Sequence, residues 1–99
     1  MCDGVAGSRH THRLLLVAMA KRNKQRAFAL AIQSSDHLIA EKHYRAAANI
    51  LERYLGIYPP QATVLRRLGQ VRLYQGRPED AVPLLAHALR IELAIKNAA

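Results

Sequence analysis

The chain has 99 residues, 15 lysines and arginines against seven acidic residues, and one cysteine, Cys2. A chain of this length builds one small core, which excludes a two-domain cofactor enzyme or a large barrel. A lone cysteine excludes a disulfide scaffold or a cysteine-rich zinc module and favours a reducing, cytoplasmic location. Ala and Leu dominate the hydrophobic residues and no stretch alternates with period two, so the composition predicts an all-α fold.

The positive charge is concentrated at the start of the chain. Residues 1–26 hold six bases against Asp3, whereas the remaining residues hold nine bases against six acids. We expect a flexible tail over residues 1–12 and a single helical domain over residues 13–99. The longest apolar run, residues 14–20, is shorter than the roughly 20 residues of a spanning helix, so no membrane span is predicted. It is also too short for the apolar core of a secretory signal.

Helical spacing of apolar residues recurs along the rest of the chain. Residues 21–26 are polar and fit either a turn or a solvated helix face. Gly56 ahead of Pro59 is expected to end one helix, and Gly76 another. Pro78 is expected to open the last, since a proline at the first helical position loses no needed donor. The apolar positions with helical spacing lie within residues 28–39, 44–55, 65–73 and 78–91.

The chain repeats itself at an offset of 34 residues. At this offset Ala47 coincides with Ala81, and Leu51 with Leu85. This offset predicts two helix-turn-helix units: repeat one over residues 28–61 and repeat two over residues 62–95. Further coincidences are Leu55 with Leu89, Tyr44 with Pro78, and the small residues Ser35 and Gly69. Paired helices with this period are typical of arrays in which each unit buries its apolar face on the next.

This pattern resembles the tetratricopeptide repeat (TPR) family. Repeat two has the family's residue types at Leu65, Leu68, Gly69, Gly76, Ala81, Leu85 and Ala88. Repeat one keeps Tyr44, Ala47, Leu51 and Pro59. The departures are Ser34 and Ser35 for Leu-Gly, Tyr54 for a small residue, Arg72 for an aromatic, and Leu93 for the closing proline. The resemblance implies a TPR-like α-solenoid of about two repeats with a leading N-terminal helix.

Two complete repeats are fewer than the three or so that such arrays usually need. Residues 14–24 are a candidate for a helix that packs on the front of repeat one. At the other end, apolar residues Ile91, Leu93 and Ile95 extend the last helix with no polar capping helix after it. We therefore predict that another protein chain covers an exposed end or the groove.

Signals of catalysis are weak. The sequence has no phosphate-cradling glycine loop, no His-Glu-x-x-His and no Gly-x-Ser-x-Gly. His10 and His12 with Cys2 are suitable metal ligands, but they fall in the predicted tail. We predict no enzymatic activity, no metal site and no cofactor.

The resemblance implies a concave partner-binding groove made by the first helix of each repeat. This groove suits an amphipathic helix or an extended peptide with an acidic group. It does not suit the Lys/Asn carboxylate clamp of some TPR co-chaperones, because Ile32 and Asp36 occupy two key positions. Alternatively, Ile32, Ile39 and Leu73 are ordinary core residues. The positions carried over from the family are Ala29, Ile32, Asp36, Ile39, Thr63, Arg66, Gln70, Leu73 and Tyr74.

These features predict a non-enzymatic adaptor that binds a segment of another protein. Size and repeat number resemble the small TPR chaperones of bacterial type III secretion, which hold a secreted subunit in the cytoplasm. One alternative is a structural subunit of an oligomeric scaffold, including a homo-oligomer. Another is a basic nucleic-acid-associated helical protein, disfavoured because residues 9–26 interleave no aromatic side chain with their bases.

Overall fold

The computed structural model describes residues 22–98, which form four consecutive helices joined by short connections. Helix α1 covers residues 22–40, α2 Tyr44–Ile57, α3 Ala62–Tyr74 and α4 Pro78–Ala98. The predicted all-α fold built from helix-turn-helix pairs is confirmed. The boundaries of the flexible tail and of the two repeats stay a prediction.

Several predicted features lie outside the described residues: the tail, the apolar run 14–20, and the group of Cys2, His10 and His12. Within residues 22–98, no group of three His, Cys, Asp or Glu side chains is arranged so that it could hold a metal ion. The same part of the chain contains no helix with the length and hydropathy needed to cross a bilayer.

Helix α1 begins earlier than the repeat register predicts. Residues 24–27 are already helical, whereas the equivalent residues 58–61 form the connection through Pro59 and Pro60 that precedes α3. The difference follows from composition, since residues 22–27 contain no proline or glycine and are mostly good helix formers. Residues 22–26 are therefore a helix face and not a turn. The candidate front helix over residues 14–24 lies mostly outside the described residues, and its last part, residues 22–24, belongs to α1.

Helix α2 runs through Gly56 and ends at Ile57, one residue later than the glycine signal predicts. Tyr58 is extended, with φ −118° and ψ 157°, because a residue that precedes proline avoids the helical region. The predicted opening of α4 at Pro78 is confirmed. Its first turn contains Glu79 and Asp80, whose carboxylates favour the positive end of the helix dipole.

The turn after α1 closes with a residue in the left-handed conformation. Lys42 has φ 65°. Its N–H donates to the carbonyl of Ile39 at 2.9 Å, and the His43 N–H donates to the carbonyl of Leu38 at 2.8 Å. This pair of bonds is the Schellman arrangement, which satisfies two carbonyls that the end of a helix leaves without partners.

The same turn follows α3, 34 residues later. Gly76 has φ 75°, and its N–H donates to the carbonyl of Leu73 at 3.0 Å. The Arg77 N–H donates to the carbonyl of Arg72 at 2.8 Å. The two repeats therefore share one turn geometry, although Lys42 stands where the second repeat has the glycine that this geometry favours.

The core lies between the helices and consists mainly of small and branched side chains. Ala47, Leu51, Val64 and Val71 are completely buried. Tyr54 is also buried, and its ring and that of Phe28 meet edge-to-face at a centroid distance of 6.1 Å. These contacts join α1, α2 and α3 in one cluster, so the first repeat is packed against the first helix of the second.

The second helix pair packs closest at Gly69. A Cβ at this position would lie 2.9 Å from both Cγ and Cδ2 of Leu85, and 3.5 Å from the carbonyl oxygen of Ala81. Only a residue without a side chain permits this approach of α3 to α4. At the equivalent position of α1, Ser35 is completely buried and its hydroxyl donates to the carbonyl of Ile32 at 3.0 Å.

We expect Gly69→Ala to destabilise the protein. The added methyl displaces Leu85, an overpacking that costs about 1–3 kcal/mol, against a gain in helix propensity of about 1 kcal/mol. The matched control is Gly56→Ala, also within a helix, where a Cβ meets nothing within 4 Å and stability should rise by up to about 1 kcal/mol. Urea unfolding followed by circular dichroism compares the two. Equal midpoints for both variants would contradict the close approach.

The left-handed residues make a second matched pair. Lys42→Gly should raise the free energy of unfolding by about 0.5–1 kcal/mol, because glycine adopts φ 65° without the strain of a side chain. Gly76→Ala should lower it by about 1–2 kcal/mol for the converse reason. Thermal unfolding of both variants measures the change. Shifts of the same sign would show that the two turns are not equivalent.

Candidate functional site

The predicted groove residues fall on one face of α1 and one face of α3. On α1, Ala29, Ile32 and Asp36 follow one another at spacings of three and four residues, which places them on one side of the helix. On α3 the same spacing relates Thr63, Arg66, Gln70 and Tyr74. We call these two faces together the α1/α3 face.

An ion pair joins the two halves of the α1/α3 face. The Nε of Arg67 lies 2.7 Å from Oδ1 of Asp36, and the Nη2 of Arg67 lies 3.5 Å from Oδ2. Sequence reasoning missed Arg67. The repeat could have indicated it. Gln70 is the equivalent of Asp36 in the second repeat, and Arg67 lies three residues, about one helical turn, before Gln70. The pair neutralises Asp36, so this carboxylate does not repel an acidic ligand.

A second ion pair links the α1/α3 face to α4. Arg66 Nε lies 3.2 Å from Oε1 of Glu92, and both side chains are about half-exposed. Exposed pairs of this kind contribute about 0–1 kcal/mol, so a ligand carboxylate can replace Glu92 at little cost. Glu92 is a further residue that the repeat pattern did not indicate.

An aromatic pair closes one end of the α1/α3 face. The rings of Tyr44 and Tyr74 stack at a centroid distance of 5.1 Å and an angle of 18°. Gln70 Nε2 donates to the Tyr74 hydroxyl at 3.1 Å. Tyr74 keeps 51% of its surface exposed, so a half-open aromatic platform adjoins the amide of Gln70. Sequence reasoning assigned Tyr44 to the apolar face of its helix and did not anticipate this stacking.

The three apolar groove positions do not behave alike. Ile32 and Ile39 are partly buried and pack against the core, as their alternative reading as core residues expects. Leu73 is 49% exposed at the edge of the face. The exposed apolar surface of the face therefore comes mostly from Leu73 and Tyr74, with a smaller part from the partly buried Ile32.

A second apolar groove lies at the front of the molecule, between α1 and α2. Leu30 and Ile57 line it and are 57% and 68% exposed. One repeat later, Val64 occupies the position of Leu30 and is completely buried, because α2 covers it. Within residues 22–98, no helix precedes α1 to cover Leu30 in the same way.

Tyr54 forms the floor of this front groove. Its ring stacks on Tyr58 at 5.0 Å, and its hydroxyl accepts a hydrogen bond from Gln61 Nε2 at 3.0 Å. Burial raises the pKa of Tyr54 above 10.0, the hydrogen bond from Gln61 opposes the shift, and Tyr58 adds to it.

Comparison with known proteins identifies one family. A family model described as Tetratricopeptide repeat matches residues 16–92, which is most of the chain. Neither the curated proteins nor the solved structures include a match to this sequence. The repeat inferred from the 34-residue offset is thus supported by an independent pattern that covers both helix pairs.

The raised pKa of Tyr54 predicts a loss of stability in alkaline solution. The Tyr54 pKa is higher in the folded than in the unfolded protein, so the protonated hydroxyl favours the folded state. This contribution is complete below about pH 10 and is lost as the pH rises through the pKa of the folded protein. Tyr54→Phe should lower the free energy of unfolding by about 1 kcal/mol at neutral pH, because it removes the hydrogen bond from Gln61. Above about pH 10, the free energy of unfolding of this variant should also decline less steeply with pH than that of the original protein. Urea unfolding across pH tests this, and parallel declines in both proteins would contradict it.

Proposed function

Because this chain belongs to the tetratricopeptide repeat family, whose repeats mediate protein–protein interaction, we propose that it binds a segment of a partner protein on the α1/α3 face. The single observation that supports this assignment most is the half-open tyrosine pair beside Gln70 and Leu73. Exposed aromatic surface next to a fixed amide is typical of a residue that contributes strongly to binding. On this proposal the chain is non-enzymatic and needs no cofactor.

The chemistry of the face indicates the kind of segment that binds. Leu73, Tyr74 and the outer part of Ile32 offer apolar contacts across the two helices. Arg66 stands at the edge with only a half-exposed partner, Glu92. An amphipathic helix or extended peptide with apolar side chains and one carboxylate directed at Arg66 satisfies both features.

A narrower proposal concerns the cellular role. The chain has the size and repeat number of small TPR chaperones that hold a secreted subunit in the cytoplasm for type III secretion. This role requires a surface that accepts an apolar client segment, and the exposed Leu73 and Tyr74 of the α1/α3 face support it. Purification from native cells followed by mass spectrometry tests the role: a small secreted client supports it, and a large stoichiometric assembly contradicts it.

The binding face is tested with peptides selected from a random phage-displayed library on the purified protein. Tyr74→Ala should raise the Kd of selected peptides by about 30-fold, the loss typical of a central aromatic contact. Arg66→Glu should weaken acidic peptides most, because it replaces attraction by repulsion. Fluorescence anisotropy of the labelled peptides measures both effects.

Two matched variants control for these changes. Ile57→Ala removes an apolar side chain that is 68% exposed at the front groove, and Arg45→Glu reverses an exposed charge on α2. Neither should change the Kd by more than about twofold. If peptides lose affinity for the Ile57→Ala protein and keep it for Tyr74→Ala, the front groove is the binding site and the α1/α3 face is not.

A further inference from the structure

The outer face of α4 carries an uncovered apolar stripe. Val82, Leu89 and Leu93 are 63%, 56% and 47% exposed, and Ala86 lies between them on the same side. Their spacing of four, three and four residues is the spacing at which one helix presents a continuous seam to another. We call Val82, Ala86, Leu89 and Leu93 the α4 stripe.

The equivalent face of α2, one repeat earlier, shows how such a face is buried when another helix lies over it. Val82 and Leu89 correspond to Ala48 and Leu55 of α2, 34 residues earlier. Ala48 is 2% exposed and Leu55 packs against the core, because α3 lies over that side of α2. Within residues 22–98 no helix lies over α4 in the same way. The α4 stripe is therefore a helix-packing face whose larger side chains are left in solvent.

Opposite charges mark the two ends of the stripe. Glu79 lies three residues before Val82, and Lys96 lies three residues after Leu93, so both continue the same seam. In the described part of the chain neither of the two charged side chains has an ion-pair partner. When two copies of this helix face lie antiparallel, their side chains are complementary. The facing pairs are then Glu79 with Lys96, Val82 with Leu93, and Ala86 with Leu89.

We propose that the α4 stripe binds the α4 stripe of a second copy of this chain, with the two helices antiparallel about a twofold axis. Each small Ala86 then faces a large Leu89, which is the alternation that lets two helices interdigitate. Glu79 of each copy meets Lys96 of the other, so the axis produces two ion pairs. The seam from residue 79 to residue 96 is roughly 25 Å long at the rise of an α-helix.

This geometry closes after two copies and leaves the α1/α3 face open. A twofold interface uses the same patch on both copies, so it cannot extend into a filament. Antiparallel helices also place the acidic first turn of one α4 beside the basic last turn of the other, which complements their dipoles. The dimer is thus independent of the proposed peptide binding and can be tested apart from it.

The oligomeric state is the first test. Sedimentation equilibrium of the 99-residue chain, from about 1 μM to about 1 mM, should show a reversible monomer–dimer equilibrium. Leu89→Asp should raise the dimer Kd at least about 100-fold, because it buries a carboxylate in the seam. The matched control is Ile95→Asp, at a position 67% exposed and about 120° around the helix, which should leave the Kd unchanged. Circular dichroism confirms that both variants stay helical.

A charge exchange tests the antiparallel register. Glu79→Lys and Lys96→Glu, each alone, should raise the dimer Kd roughly tenfold at low salt, since each turns two attractive pairs into repulsive ones. The double variant Glu79→Lys, Lys96→Glu should return the Kd to near its original value. Added salt should reduce the effect of each single variant.

Four results would overturn the proposal. The first is a chain that stays monomeric throughout the concentration range, because the stripe is then free or reserved for a different partner. The second is equal weakening by Ile95→Asp and Leu89→Asp, which would place the interface elsewhere. The third is retention of the dimer in Leu89→Asp. The last is failure of the double charge variant to recover affinity, which would exclude the antiparallel pairing of Glu79 with Lys96.

Discussion

The architecture depends on one steric constraint, the close approach of paired helices at positions without a large side chain. At Gly69 the backbone of α3 lies so near Leu85 that a single added Cβ would collide with it. Because α3 and α4 meet at this distance, Leu85 and the completely buried Ala81 can lie against α3 and hold the second helix pair together. Ser35 fills the corresponding position in α1 and satisfies its own hydroxyl within the helix, so the first repeat keeps the small residue without leaving a buried polar atom unpaired.

With this packing, the position of each helix in the array decides which of its faces are buried and which are exposed. Val64 and Leu30 occupy the same position of successive repeats, yet one is completely buried and the other is 57% exposed. Ala48 and Val82 form the same kind of pair at the other end. The chemistry of each residue is similar, so the difference comes from the presence or absence of a neighbouring helix within residues 22–98. The proposed interaction surfaces are therefore of two kinds: the concave side, and helix faces that no further helix covers within residues 22–98.

Charged residues make several of the contacts between helices, in one case at a position where the family has an aromatic residue. Arg72 replaces an aromatic residue, and its side chain is only 15% exposed; its guanidinium pairs with Glu52 of α2 and donates to Oε1 of Gln75 at 3.0 Å. Asp36 and Arg67 link α1 to α3 in a similar way. Such pairs specify which helices lie together more than they stabilise them, because partly exposed ion pairs contribute little free energy. They also explain why a basic chain offers a nearly balanced α1/α3 face.

The sequence by itself determined the helices, the 34-residue repeat and the small residues at close contacts, because spacing and glycine or proline signals act locally. The resemblance to the family indicated which positions belong to the α1/α3 face, and helical spacing places most of them on one side of each helix. Contacts between segments distant in sequence were decided only in the tertiary structure: the pairing of Asp36 with Arg67, the stacking of Tyr44 on Tyr74, and the exposure of Val82. Such contacts depend on which helix lies alongside which, and periodicity within one helix carries no information about its neighbour.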